Sequence, residues 1–293
     1  MSDSTDLFQS QFQQALMQPA MDFYSPLADV YDEALLPTGA AREHWGPTLT
    51  SLKGLGRDNL AARESKTQRI LRDDGATYKS YTDRERTWNL DTVPLIIDSD
   101  RWGLIEAGIS QRSELFNRLF NDIYGPQELI RQGIIPPEVV FSHPGFLRPC
   151  FGIKQPAEHA LILHGVDLVR TSEDNICVIA DRTQAPSGAG YALENRTVMS
   201  RVFPDLFRQS QVQRLATFFQ TLRVKLNNLA PDDHLPNSVV LAPGSSSESY
   251  FEHAYLANYL GYSLVQGRDL TVRNGYVWMK SLSGLSRVDV ILR

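Results

Sequence analysis

Two aspartates and a threonine carry the most distinctive chemistry in this sequence. Asp167 lies in the run VDLVR and Asp181 in VIADRT, with the polar cluster Ser172-Glu173-Asp174-Asn175 between them. Two stretches rich in Leu, Ile and Val on either side of such a cluster predict an antiparallel hairpin. If the turn is centred on Asp174, Asp167 falls directly opposite Asp181, and opposite residues share a face. Thr183, two positions beyond Asp181, joins the same face. Carboxylates held side by side repel, and a divalent cation between them removes the repulsion; hard magnesium favours such oxygen ligands. Arg170 and Arg182 are close enough in sequence to neutralise the acids instead. A shift of the turn by one residue would also separate them onto opposite faces.

The run after the hairpin offers a second constellation. Ser187-Gly188-Ala189-Gly190 could wrap backbone amides around a phosphate or carboxylate oxygen, or form a plain turn. It lacks the Gly-x4-Gly-Lys-Ser/Thr spacing of a P-loop. Glu194, Asn195 and Arg196 follow at once and could reach the same cleft. The planar fork of Arg196 suits a phosphate or a substrate carboxylate, or equally a structural salt bridge. Gly244-Ser245-Ser246-Ser247 precedes a predicted helix and resembles an anion cradle. Glu252-His253 reads as a hydrogen-bonded structural pair ahead of a metal or substrate site. The remaining histidines form no zinc spacing, and no Gly-x-Ser-x-Gly elbow supports a serine hydrolase.

The elements that must position these residues are legible in part. Apolar positions Leu104, Ile105, Ile109, Leu115, Phe116, Leu119 and Ile123 recur at helical spacing. Asp98, Ser99 and Asp100 are good starting caps, and Gly125-Pro126 is a stop. Residues 40–73 show helical periodicity with breaks at Gly54 and Gly56. Residues 198–229 read as a further helical stretch. Ser238 to Ala242 is a short strand, Glu248 to Leu260 a helix broken by Gly261, and Tyr262 to Val265 a second strand. That strand-helix-strand unit is the building block of a parallel sheet. Val288 to Leu292 is one more strand.

Composition narrows the class. A chain of 293 residues with 42% hydrophobic and 22% charged residues is that of an ordinary globular protein of two or three lobes. A net charge of −5 argues against a general nucleic-acid binder. No secretory signal opens the sequence, no apolar run is long enough to span a bilayer, and Cys150 and Cys177 are too few for a disulfide framework. The expectation is a cytoplasmic protein with neither nucleic-acid nor membrane partners.

The stretch TQAPSGAGYALENR, residues 183–196, resembles the signature of the circularly permuted ATP-grasp family (type 2), related to glutathionylspermidine synthase. YDEALLPTGAAREHW at 31–45, WNLDTVPLII at 88–97, QRSELFNRLFNDIYG at 111–125, APGSSSESYFEHAYLANYLGYSLVQGRDL at 242–270 and GLSRVDVILR at 284–293 resemble it too. The hairpin preceding the strand-helix-strand unit agrees with a permuted order of parts. The resemblance implies an α/β (α+β) fold: a permuted ATP-grasp core half, a strand-helix-strand pre-grasp domain and a helical N-terminal region. The expected divisions are a partly disordered leader at 1–30, a mainly helical region at 31–158, a magnesium-binding core part at 159–232, and a pre-grasp-like domain at 233–293.

What the resemblance implies chemically is ATP and magnesium as cofactors of a carboxylate-amine ligase working through an acyl phosphate. Asp167 and Asp181 fall on the family's metal-binding acids, and Thr183 on a position where the family carries Asn. Ser187, Gly188 and Gly190 would touch the cofactor, and Asn195 and Arg196 would serve catalysis. Substrates would be a small-molecule or peptide carboxylate and an amine. In the family a nucleotide-clamping lid follows the point where this sequence stops, so the expectation is a truncated chain completed by a downstream segment or by a separately encoded second half. The alternative is a non-catalytic binding or assembly module that retains the fold.

Overall fold

The computed structural model describes residues 24, 26–27, 30–79, 85–154, 159–172, 175–230 and 235–293. The leader expected at 1–30 lies almost wholly outside the described residues, as do Asp174, residues 155–158 up to the boundary expected at 158/159, and residues 231–234 around the one expected at 232/233.

Helix α1 spans Gly46–Asp73 and is broken at Gly56, whose φ of 72° no longer follows the helix. Glycine adopts that backbone without a Cβ clash. Strands β1 (Thr77–Lys79) and β2 (Glu85–Thr87) form a short antiparallel pair after it. Helix α2 covers Ser99–Ile123, within a residue of expectation. The Asp98 carboxylate accepts from the Arg101 amide at 2.8 Å, an N-terminal cap. Replacing Asp98 with alanine is therefore expected to cost about 1 kcal/mol in a urea melt, with most of that cost recovered by serine. Two short helices follow, α3 (Glu128–Arg131) and α4 (Pro137–Phe141).

Strands β3 (Gly165–Ser172) and β4 (Asn175–Arg182) form the predicted antiparallel hairpin. Its register differs from expectation. Val166 pairs with Asp181, and Asp167 pairs with Ala180. Because side chains alternate along a strand, Asp167 and Asp181 point to opposite faces. A register shift between Asp167 and Leu168 leaves Ile179 without an opposite partner. A slip of one position is enough to exchange the faces.

Helix α5 runs Ala189–Val202, α6 Pro204–Gln209 and α7 Ala216–Asn227. The single helical stretch expected over 198–229 is thus corrected to the end of α5 and two further helices. Pro204 opens α6, where its missing amide costs nothing. Strand β5 (Ser238–Leu241), helix α8 (Tyr250–Leu260) and strand β6 (Ser263–Val265) make the predicted unit, and β5 and β6 are parallel. Gly261 ends α8 in the left-handed conformation. Strands β7 (Leu270–Arg273), β8 (Tyr276–Ser281) and β9 (Gly284–Val288) form an antiparallel sheet beyond the elements expected from the sequence. Strand β10 (Val290–Leu292) returns to lie parallel to β5 in the order β10-β5-β6.

Packing explains the order. Val239 and Val265 meet Val288, Val277 and Met279 on one face of the parallel sheet. Val290, on the other face, joins Leu193, Phe219, Leu222 and Leu260 from α5, α7 and α8. A parallel sheet covered on both faces is the usual solution for such short, apolar strands. Helix α5 lies between two clusters, since its Val198 and Val202 pack with Leu52 and Leu71 of α1. The molecule mixes helix and sheet as an α/β fold should. No helix among the described residues is long and apolar enough to cross a membrane.

Candidate functional site

Helix α2 holds the hairpin. Arg112 donates from Nε and Nη2 to the two carboxylate oxygens of Asp181, at 2.6 and 2.5 Å. His164 Nε2 lies 3.1 Å from Asp181 Oδ1, and its Nδ1 lies 2.7 Å from Ser113 Oγ. One turn further along α2, Asn117 Oδ1 accepts from the amides of Ala160 and Leu161, and Phe116 meets the His164 ring edge-on at 5.5 Å. Residues 112, 113, 116 and 117 lie on one face of a helix, which is why one element can make all these contacts. The Arg112 guanidinium, aided by His164, holds the Asp181 carboxyl below its ordinary pKa against the opposing effect of burial. Sequence spacing could not find this arrangement, because Arg112 is 69 residues away from its partner.

Asp167 sits on the other face and is bonded by Arg182 Nη2 at 2.8 Å. Arg170, the other arginine near these acids in sequence, turns instead to Glu33 at 3.0 Å. The described residues contain no cluster of three or more His, Cys, Asp or Glu side chains able to hold a metal ion. Two acids on opposite faces, each already paired with a guanidinium, do not fit a shared magnesium ion. The expected facing pair is corrected on that ground. Thr183 lies beyond the end of β4 and lines a cleft of about 220 Å³ with Leu161, Leu163, Pro186 and Leu292. That volume is below the usual size of a pocket for a nucleotide-sized ligand.

The amides of the Ser187–Gly190 run are also engaged. Glu252 Oε1 accepts from Gly188 N at 2.6 Å and from Gly190 N at 2.9 Å. A carboxylate from α8 therefore occupies the position at the start of α5 where a bound anion would sit. Gly190 is required for that approach, since a Cβ there would lie 2.8 Å from Glu252 Cγ. Of the Glu252-His253 pair, Glu252 is hydrogen-bonded through these amides, whereas the buried His253 Nδ1 has no hydrogen-bond partner among the described residues. Burial lowers the His253 pKa.

Glu194, Asn195 and Arg196 diverge in environment. Glu194 is 1% exposed, and burial raises its carboxyl pKa, with a Tyr255 hydrogen bond opposing and Asp74 reinforcing the rise. Asn195 Oδ1 accepts from the Trp88 indole at 2.9 Å, leaving its amide hydrogens as donors. Trp88 in turn stacks on Tyr191 at 4.3 Å, and burial pushes the Tyr191 phenol up to about 12. Arg196 is half-buried, and burial lowers its pKa. Among the described residues it has neither ion pair nor hydrogen-bond partner. A partly desolvated guanidinium without an anion is costly unless a ligand supplies one.

Comparison with known proteins places this geometry in context. The family profile described as circularly permuted ATP-grasp type 2 matches residues 94–293. The uncharacterized protein Rv2567 of Mycobacterium tuberculosis is 40% identical over 276 residues, covering 90% of this chain and 31% of its own length. The uncharacterized protein sll0335 of Synechocystis sp. is 40% identical over 275 residues, covering 92% of this chain and 57% of its own. For the uncharacterized protein ML0605 of Mycobacterium leprae the identity is 36% over 273 residues, with coverage of 93% and 48%. The chain spans from about a third to somewhat over half of the length of these relatives.

Proposed function

The chain belongs to the circularly permuted ATP-grasp type 2 family, and from that premise we propose that it is part of an ATP-dependent carboxylate-amine ligase. In that reaction the γ-phosphoryl group of ATP passes to a substrate carboxylate oxygen, releasing ADP. The amine then attacks the acyl phosphate, phosphate leaves, and an amide remains. The observation that carries the reading is Arg196, half-buried and without a protein anion among the described residues. Its fork would hold phosphate or carboxylate oxygens through paired, charge-assisted hydrogen bonds. Asn195, fixed by Trp88, would present its amide hydrogens beside that anion. The reading gives no role to a magnesium ion shared by Asp167 and Asp181, and it leaves Gly188 and Gly190 to Glu252.

Calorimetric titration with ATP tests it. Arg196→Ala is expected to weaken ATP binding about 10- to 100-fold, the loss of a charged hydrogen-bonded contact, and Arg196→Lys to recover only part. The thermal midpoints of both variants should match the parent within a few degrees. Equal ATP affinity in the parent and in Arg196→Ala would remove Arg196 from the site.

A second reading, a non-catalytic binding or assembly module, is favoured by the neutralised aspartates. Mixing the chain with a segment matching the remainder of a relative separates the two. ADP release favours the ligase, whereas a stable complex without turnover favours the module.

A further inference from the structure

We infer that Arg112 is the resident cation of Asp181, so that the hairpin is latched to α2 by a guanidinium and does not recruit a divalent metal at that carboxylate. The inference stands independently of the ligase reading and of Arg196. Asp181 is 14% exposed at its side chain and receives three N–H donors: two from Arg112, and one from the nearly buried His164. The His164 nitrogen facing the carboxylate carries a hydrogen, because an ionised carboxylate only accepts. Its other nitrogen is met by Ser113, whose hydroxyl also reaches the Ile109 carbonyl at 2.8 Å.

A magnesium ion entering here would have to displace a bidentate guanidinium and shed part of a tightly held water shell, with one carboxylate in return. The acid that could have been its second ligand, Asp167, is across the strand with Arg182. Thr183 offers only a hydroxyl. Arg112 instead provides one positive charge with fixed geometry, and it spreads over the Phe116 ring at 5.4 Å. The latch thereby fixes the base of the hairpin, where Thr183 borders the cleft.

The test uses the full chain, with and without ATP, in chelator and in about 10 mM magnesium or manganese. Binding of a metal to the folded state alone would raise the thermal midpoint by mass action. The expected result is a midpoint unchanged within about 1 °C in the absence of ATP, with manganese relaxation enhancement the same in the parent and in Asp181→Asn. Arg112→Gln and Asp181→Asn should each lower the midpoint, and the double variant should fall no further than the worse single one, the signature of a shared contact. A metal-dependent rise that Asp181→Asn leaves in place assigns the metal elsewhere and supports the latch. A rise that Asp181→Asn abolishes while Arg112→Gln retains it overturns the inference, as does additive loss in the double variant.

Discussion

Replacing Glu252 with alanine is expected to lower the unfolding free energy by about 3 kcal/mol, the cost of stranding two amides that share one buried acceptor. Glu252 is 3% exposed, and its Oε1 takes the amides of Gly188 and Gly190 together. Those amides open α5 and have no carbonyl partner within the helix. The carboxylate also meets the positive end of the helix dipole. The effect should be large because α5 is the shared wall of two apolar clusters, one with α1 and one with α7 and α8. Glutamine keeps an acceptor but loses the charge, so Glu252→Gln should retain roughly half of the contribution. Gly190→Ala attacks the same junction from the other side, since the new Cβ would meet Glu252 Cγ at 2.8 Å and its backbone at 3.3 Å. Urea unfolding with an unchanged m-value measures each of these losses as stability alone. A Glu252→Ala midpoint equal to that of the parent would show the amides to be satisfied by something else.

The same junction shows what the sequence could and could not disclose. Periodicity with an Asp cap located α2 to within a residue, because both signals are local. The strand-helix-strand unit was legible for the same reason, with Gly261 punctuating it. The hairpin was found, yet its register was not, because Thr171 and Ile179 are each left without an opposite partner, and such irregularities shift the pairing beyond them and leave no mark in composition. Strands β7 to β9 were missed where short polar and aromatic runs carry no long apolar alternation. At the candidate site the partners that decide each side chain's role lie far away in sequence. Arg112 reaches Asp181 across 69 residues and Glu252 reaches Gly188 across 64. Such pairings are decided by packing, and a pattern read along the chain has no access to them.

Raising the pH should loosen the α1–α5–α8 junction, and Glu194 is the group responsible. Its carboxyl is 1% exposed and its Oε1 has no hydrogen-bond partner among the described residues. Burial raises its pKa, Tyr255 opposes the rise, and Asp74 adds to it, while Asp74 itself is bridged to Arg201 at 3.3 Å. A folded-state pKa above the unfolded value means that the protonated carboxyl stabilises the native state fully below the ordinary glutamate pKa of about 4.3. That contribution is lost as pH rises through the folded value, because the native protein must then ionise a carboxyl away from water while the unfolded chain has already done so at no such cost. Glu194→Gln keeps the shape and the donor of the protonated acid but cannot ionise. Its thermal midpoint should change less between acidic and mildly alkaline pH than that of the parent, and the two curves should approach each other at low pH. Glu194→Ala should lose about 2 kcal/mol at every pH through the cavity and the broken hydrogen bonds. Tyr191, held near 12, stays neutral throughout this range and leaves the comparison clean. Parallel pH profiles for the parent and Glu194→Gln would mean that the buried carboxyl is not the group being titrated.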